Sequence, residues 1–268
     1  MRVVLSVQNL SVPKDPRVWR EARTLAAEGF AVTVVCPRDE GQPKSECIDG
    51  VHIVRYGPTF SGKRRGGLVI ETGLGVLAIG WKVLRLHHRQ RIDVFHVANP
   101  PDAYFPLGWV LKRFGAKFIF DLHDPTAEVL RAKYGEHKVL DRLAKWMERR
   151  SLRTASLVLT PNGSFRQLAL RRGNLASDRV VVVRTGPDLV ADPVAQPDRR
   201  ANHIVFAGVM GEQDGVELLL RAIAELRHGR RREVTLELIG DGPDVPRLHR
   251  IEAELDLSDS VVWAGWLS

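Results

Sequence analysis

The strongest constraint on this chain is its alternation. Short β-branched runs, each bounded by turn residues, recur between longer segments with a helical apolar period. The runs at Arg2–Val7, Ala31–Cys36, Val51–Tyr56, Asp93–Ala98, Lys117–Leu122, Leu157–Thr160 and Arg179–Arg184 are nearly continuous in apolar residues. Strands of that kind sit in a parallel sheet buried on both faces. Helical patterns over Pro16–Gly29, Leu68–Arg89, Asp102–Phe114, Lys138–Arg153 and Ser164–Arg172 fill the crossovers. The first has clear ends: Asp15 is a good N-cap, Pro16 suits the first helical position, and Gly29 is a natural stop.

The alternation breaks once. Residues 187–202 hold three prolines and no clear period, and read as a linker. The pattern then restarts with strands at His203–Ala207, Glu233–Ile239 and Ser260–Ala264 and helices at Gly215–Arg227 and Val245–Leu255. The expected organisation is an α/β domain over 1–186, a linker over 187–202 and a second, incomplete α/β domain over 203–268. Three strands are fewer than a doubly wound domain usually has.

Composition narrows the class. At 44% hydrophobic and 27% charged, the chain reads as a globular protein. The longest apolar stretch, Leu68–Leu84, contains Glu71 and Lys82 and does not read as a spanning helix. The N-terminus lacks the apolar region and cleavage site of a signal peptide. Cys36 and Cys47 have no metal-site spacing, and a reduced, cytoplasmic setting is the expectation. The formal charge of +8 carries no nucleic-acid motif with it. One basic segment, Lys63 to Arg91, places KRR before an apolar helix ending in Trp81, Lys82, Arg85 and Arg89. It suits peripheral contact with an anionic membrane, or equally a core helix with solvated flanks.

In open parallel sheets, ligands bind beyond the carboxyl ends of the strands. The loop after the first strand is not a GxGxxG loop, so a dinucleotide fingerprint is absent there. Asp15 and Arg17 stand where the first helix starts, with capping and surface pairing as their simplest roles. After the fifth strand comes Asp121-Leu-His-Asp124. Alternation puts Asp121 and His123 on one side, so Asp121 can orient the ring, while Asp124 faces away. Arg184 ends the last strand of the first domain and suits either an anion or a linker acid. In the second domain, GVMGEQDG follows a strand and opens a helix, as a phosphate cradle would, yet carries Glu212 and Asp214 and no cation. LIGDGPD and VVWAGW form two more such loops.

In order, DPRVWREARTLAAEGFAVTVVCP, FHVANPPDAYFPL, KFIFDLHDPTAEV, VVVVRTGPDL, IVFAGVMGEQDGVELLLRAI, LELIGDGPDVPRL and VVWAGW resemble the family 4 glycosyltransferases. The resemblance covers essentially the whole chain and is strongest to bacterial members that build surface polysaccharides. It implies a GT-B fold, with two Rossmann-like domains and an active site in the cleft between them. It implies retaining transfer from a nucleotide-sugar, UDP- or GDP-linked, with no cofactor and no metal. The expected acceptor is a glycan or a lipid-linked sugar, at the cytoplasmic face of the membrane. By resemblance, His123 lies close to the transferred sugar, with Asp121 and Asp124 beside it as catalytic candidates. Gly208, Gly211, Asp214, Gly240, Gly242, Gly265 and Trp266 fall in donor-side loops. Asp15, Arg17, Asn99, Glu128 and Arg184 fall on the acceptor side or in the cleft.

Two departures stand out. Many members carry an Arg and a Lys in the loop after the first donor-domain strand, where this chain has Val209 and Asp214. A leaving diphosphate builds negative charge that something cationic should meet. The helix N-terminus offers only about half a charge. Members also have paired glutamates, seven residues apart, later in the donor domain than Ser268. The expectation is that these 268 residues alone do not complete the transfer. A non-catalytic nucleotide- or sugar-binding remnant is the alternative. A sugar-nucleotide epimerase is a third reading, for which no second carboxylate set is seen.

Overall fold

The computed structural model describes residues 1–57, 65–186 and 202–267; the side chains of 65–71 and 132–134 lie outside that description. The chain divides into two compact units, Met1–Pro187 and Asp188–Ser268. The expected linker, except Asn202, and Lys63-Arg64 fall outside the described residues.

In the first unit the elements are β1 (Arg2–Ser6), α1 (Pro16–Ala27), β2 (Ala31–Pro37), β3 (Ser45–Ile48), β4 (Val51–Tyr56), α2 (Arg65–Gln90) and β5 (Val94–Ala98). There follow α3 (Phe105–Arg113), β6 (Lys117–Asp121), α4 (Thr126–Tyr134), α5 (Lys138–Thr154), β7 (Leu157–Thr160), α6 (Gly163–Gly173) and β8 (Val180–Val182). The sheet order is β3-β4-β2-β1-β5-β6-β7-β8, parallel throughout except for β3. The chain first works outward from β1 through β2 and β4, then crosses to β5 and works outward the other way. The direction of winding therefore reverses between β1 and β5, and a crevice forms at their carboxyl ends.

Alternation along each strand divides the core. Val3, Leu5, Val32 and Val34 pack with Val18 and Ala22 of α1 on one face. Val4, Phe95, Val97, Phe118 and Phe120 pack on the other face with Ile79 and Val83 of α2, Leu111 of α3 and Leu152 of α5.

The second unit carries β9 (His203–Ala207), α7 (Val216–Ala224), β10 (Thr235–Ile239), α8 (Val245–Glu254) and β11 (Val261–Gly265). Its sheet is parallel in the order β11-β10-β9. Leu220 and Ile223 of α7 and Leu248 of α8 pack on Leu236 and Leu238 of the central strand.

Several boundaries differ from the sequence pattern. The helix expected from Asp102 starts at Phe105, because the Asp102 side chain turns inward to accept from Asn99. The strand expected over Arg179–Arg184 is only Val180–Val182, since a 3-10 turn spans Ser177–Arg179. The helix expected to Arg227 closes at Ala224 and ends in a wider turn through Gly229. Strand β3 and helix α4 have no expected counterpart. Among the described residues, no helix is long and apolar enough to cross a membrane.

Candidate active site

Asp121 is the last residue of β6 and is fully buried. A carboxylate there needs partners, since desolvation without them is costly. The nearest come from the start of α1. The Asp15 side chain accepts from the backbone amides of Arg17 (3.1 Å) and Val18 (2.9 Å), which fixes the first turn. That turn aims Arg17 inward rather than to the surface. Its Nε donates to Asp121 Oδ2 at 3.0 Å and its Nη2 to Oδ1 at 2.9 Å. The remaining Nη1 donates to the Val183 carbonyl (2.8 Å) and to Thr185 Oγ1 (2.9 Å). One guanidinium thus ties α1 to the ends of β6 and β8. The simple capping and surface role expected for Arg17 is incomplete: it is buried, and its fork matches a carboxylate.

His123 joins the same carboxylate. Its Nε2 lies 2.7 Å from Asp121 Oδ2. Burial alone would push the Asp121 carboxyl up, but the imidazoles of His123 and His96 reverse this and hold it well below its ordinary range. Ionised Asp121 can only accept, so Nε2 of His123 carries the hydrogen and Nδ1 keeps its lone pair in the neutral ring.

Two groups that the sequence reading did not place in the site complete the cluster: Glu21, which by resemblance only matches the first-helix pattern with Asp15 and Arg17, and His96. Glu21, one turn after Arg17, places Oε1 3.4 Å from the Arg17 Nε. His96 of β5 places Nε2 3.7 Å from both Glu21 Oε2 and Asp121 Oδ2. Burial raises the Glu21 carboxyl, against the lowering pull of His96. For His96, burial lowers the value, but Asp121 and Glu21 together raise it. Ligand atoms of Glu21, His96 and Asp121 lie within 4.8 Å of one another. Arg17 already meets the Asp121 charge with two hydrogen bonds, and its guanidinium would repel a divalent ion. The group fits an ion-pair cluster better than a metal centre.

The loop after Asp121 is held by Asn99. Its side-chain oxygen accepts from the backbone amides of His123 (2.6 Å) and Asp124 (3.1 Å). Its Nδ2 donates to Asp102 Oδ1 (2.8 Å) and the Asp124 carbonyl (2.7 Å). Asn99 therefore clamps the histidine loop. Asp102 is fully buried, its Oδ2 has no hydrogen-bond partner among the described residues, and burial pushes its carboxyl up to about 7.

The other candidates separate. The Asp124 side chain is exposed and makes no hydrogen bond or ion pair among the described residues; only its backbone joins this network. Glu128 shares Arg172 with buried Glu148 and so ties α4 to α5 and α6. Arg184 is exposed, with no hydrogen bond or ion pair among the described residues. It borders an open groove of about 430 Å³ whose floor is Ile119, Leu157 and Leu159, with Arg20 beside it and Glu21 and His96 at one end.

In the second unit the glycine loops are zipped together. Gly208 N donates to the Ile239 carbonyl (3.0 Å), Met210 N to Asp241 (3.0 Å), Asp244 N to Met210 (3.1 Å) and Gly240 N to Gly265 (2.7 Å). A side chain on Gly240, at φ +127°, would strike the Gly208 carbonyl, and one on Gly242 would strike the Met210 backbone. Asp214 does not cap α7; the N-cap is Gly215 at φ 74°, without a side-chain bond. Instead Asp214 Oδ2 accepts from the Gly211 amide at 2.8 Å. A carboxylate thus sits on a loop donor that backbone phosphate binding would use. Trp263 is half-buried, its Nε1 donating to Glu252 at 2.9 Å, while Trp266 is largely exposed.

Residues 15–186 match the glycosyl transferase 4-like domain, and residues 201–268 match the glycosyl transferases group 1. The chain belongs to the glycosyl transferase 4-like family. It is 28% identical over 145 residues to alpha-D-kanosaminyltransferase of Streptomyces kanamyceticus, a match over 49% of this chain and 36% of that protein. The match thus spans about a third of the length of this curated relative. Among solved structures, sucrose-phosphate synthase of Thermosynechococcus elongatus covers 100% of this chain and 71% of its own, at a TM-score of 0.74 and 20% identity. Anabaena HepE, solved with UDP and glucose, covers 100% and 70%, at a TM-score of 0.65 and 17% identity. The GT-B fold class expected from the sequence is borne out by these likenesses.

Proposed function

We propose that this protein is a retaining glycosyltransferase that moves a sugar from a UDP- or GDP-sugar to a glycan or lipid-linked acceptor. The observation that carries the proposal is the ionised Asp121 locking His123 at the carboxyl end of β6. In this reading His123 Nδ1 meets a hydroxyl of the reacting sugars, and Asp121 holds the ring and stabilises any charge it gains. Arg17 keeps Asp121 charged and in place, and so acts through it. The diphosphate is met by helix N-termini of the second unit, whose partial positive charge falls where negative charge builds on the leaving group. No metal or organic cofactor is needed for this scheme.

Support comes from family membership, from the kanosaminyltransferase likeness and from a fold shared with a protein solved with UDP and glucose. Surface-polysaccharide assembly at the cytoplasmic membrane face is the setting that this reading favours. A second reading is favoured by one observation, the Asp214 carboxylate on the Gly211 amide. It makes the chain a nucleotide- or sugar-binding member without transfer.

The test is nucleoside-diphosphate release from a panel of UDP- and GDP-sugars, using protein expressed from its whole reading frame, with NMR of the anomeric proton in the product. Release with a retained anomer supports transfer. Tight nucleotide binding without release from any donor supports the second reading.

A further inference from the structure

Three tryptophans on three helices of the same layer share one arrangement. On α2, Arg85 lies over the Trp81 ring at 5.1 Å; on α3, Arg113 lies over Trp109 at 4.5 Å; on α5, Arg150 lies over Trp146 at 5.6 Å. Each arginine follows its tryptophan by four residues, one helical turn. The rings are 59%, 54% and 48% exposed.

The three helices are neighbours. All bury their other side in one core. Phe105 of α3 meets Trp146 of α5 edge-on at 5.5 Å, and His87 of α2 meets Phe114, just past α3, at 5.6 Å. The outer side of this layer is apolar beyond the three rings. Leu74, Leu77 and Leu84 are exposed along α2 with Trp81, at spacings of one helical face. Val139 and Leu143 do the same on α5 with Trp146. A surface helix normally turns such a stripe toward the core. Here α2 and α5 bury one apolar stripe and show a second.

Among the described side chains, the charge on this surface is predominantly positive. From Thr72 to its end α2 has no acidic residue, and α3 has none. Helix α5 has two: Asp141 is held by Arg131 and Lys145, and Glu148 is buried against Arg172. Exposed indole rings and leucines among unopposed arginines match the chemistry of an anionic lipid interface, with rings at the headgroup level and cations on the phosphates. Nucleic acid would use the charge but has no use for the leucine stripes. A protein partner would be expected to bring acids to the rings rather than a fluid apolar layer.

We propose that the outer face of α2, α3 and α5 docks on an anionic bilayer, with Trp81, Trp109 and Trp146 as three anchors and their stacked arginines as phosphate contacts. This footprint is carried by three helices and does not depend on the residues at 58–64. It is also independent of sugar transfer, since the readout is binding alone.

The test is flotation with vesicles of phosphatidylglycerol and phosphatidylethanolamine against vesicles of phosphatidylcholine, together with tryptophan emission. The expected result is flotation only with the anionic vesicles, weakened by high salt, with a blue shift of the emission. Arg85→Glu/Arg113→Glu/Arg150→Glu and Trp81→Ala/Trp109→Ala/Trp146→Ala should each lower the bound fraction by about tenfold or more. Trp266→Ala, outside the layer, should not. Circular dichroism checks that each variant is folded, and single substitutions replace any triple variant that is not. Absence of flotation at low salt overturns the proposal. So does equal binding by folded triple variants, or a dimer in solution that the tryptophan variants abolish.

Discussion

Arg17 grips Asp121 through two parallel hydrogen bonds, at 3.0 and 2.9 Å, across 104 residues of sequence. Because the pair is buried, removing one member leaves the other as an uncompensated charge. Such losses cost about 3–5 kcal/mol. Arg17→Met should destabilise the protein by that order in urea unfolding. The double variant Arg17→Met/Asp121→Asn should recover part of the loss, because no lone carboxylate remains. A single-variant change under about 1 kcal/mol would show that the pair is not structural.

Stability should depend on Asp102. Its carboxyl is pushed by burial from 3.8 to about 7 in the folded protein. Between those values the folded state holds a proton that the unfolded state has released, so stability from this group falls as pH rises from about 4 to about 7. Below that window both states are protonated, and above it both are ionised. The effect is bounded at roughly 4 kcal/mol. Asp102→Asn keeps an acceptor for Asn99 and cannot ionise. It should be more stable than the wild type at pH 8 and close to it at pH 4. Parallel stability curves for the two proteins across that range would contradict the assignment.

The donor-side glycines should separate by substitution. Gly240→Ala forces a side chain into the Gly208 carbonyl at a φ of +127°, and should cost at least about 3 kcal/mol. Gly208→Ala places its new carbon no closer than 3.5 Å to Phe206, an ordinary contact, and should cost less than about 1 kcal/mol. Thermal unfolding of the two variants decides this. Equal losses would mean that the glycine loops are not packed as described.

Asp214 holds the Gly211 amide at 2.8 Å. If a diphosphate is to use that amide, the carboxylate must leave or be outcompeted. Asp214→Ala should tighten UDP or GDP binding by about threefold to tenfold in calorimetry, through a freed donor and one negative charge fewer. Weaker binding would place Asp214 on the ligand as a hydroxyl or cation partner instead.

What the sequence made legible followed from local rules. The parallel sheet came from apolar runs, the start of α1 from Asp15 and Pro16, and the shared side of Asp121 and His123 from strand alternation. What it hid was long-range. Nothing local distinguishes an arginine bound to water from one bound to a carboxylate 104 residues on, so Arg17 read as a capping, surface or cleft residue with no named partner. His96 and Glu21 gave no sign of a shared cluster, because each belongs to an ordinary strand or helix pattern until the sheet brings them together. Asn99 read as a loop residue and proved to be the clamp of another loop. Asp214 read as an acid in a donor-side loop, and the structure turns its carboxylate back onto the Gly211 amide of that loop while the αL conformation of Gly215 starts the helix.

The central claim is that His123, locked by ionised Asp121, works at the reacting sugar. The most direct measurement is the initial rate of nucleoside-diphosphate release, with donor and acceptor, for the wild type beside folded His123→Ala. The account predicts a fall of about 10²–10⁴-fold with donor affinity largely kept. A rate for His123→Ala equal to that of the wild type would contradict it.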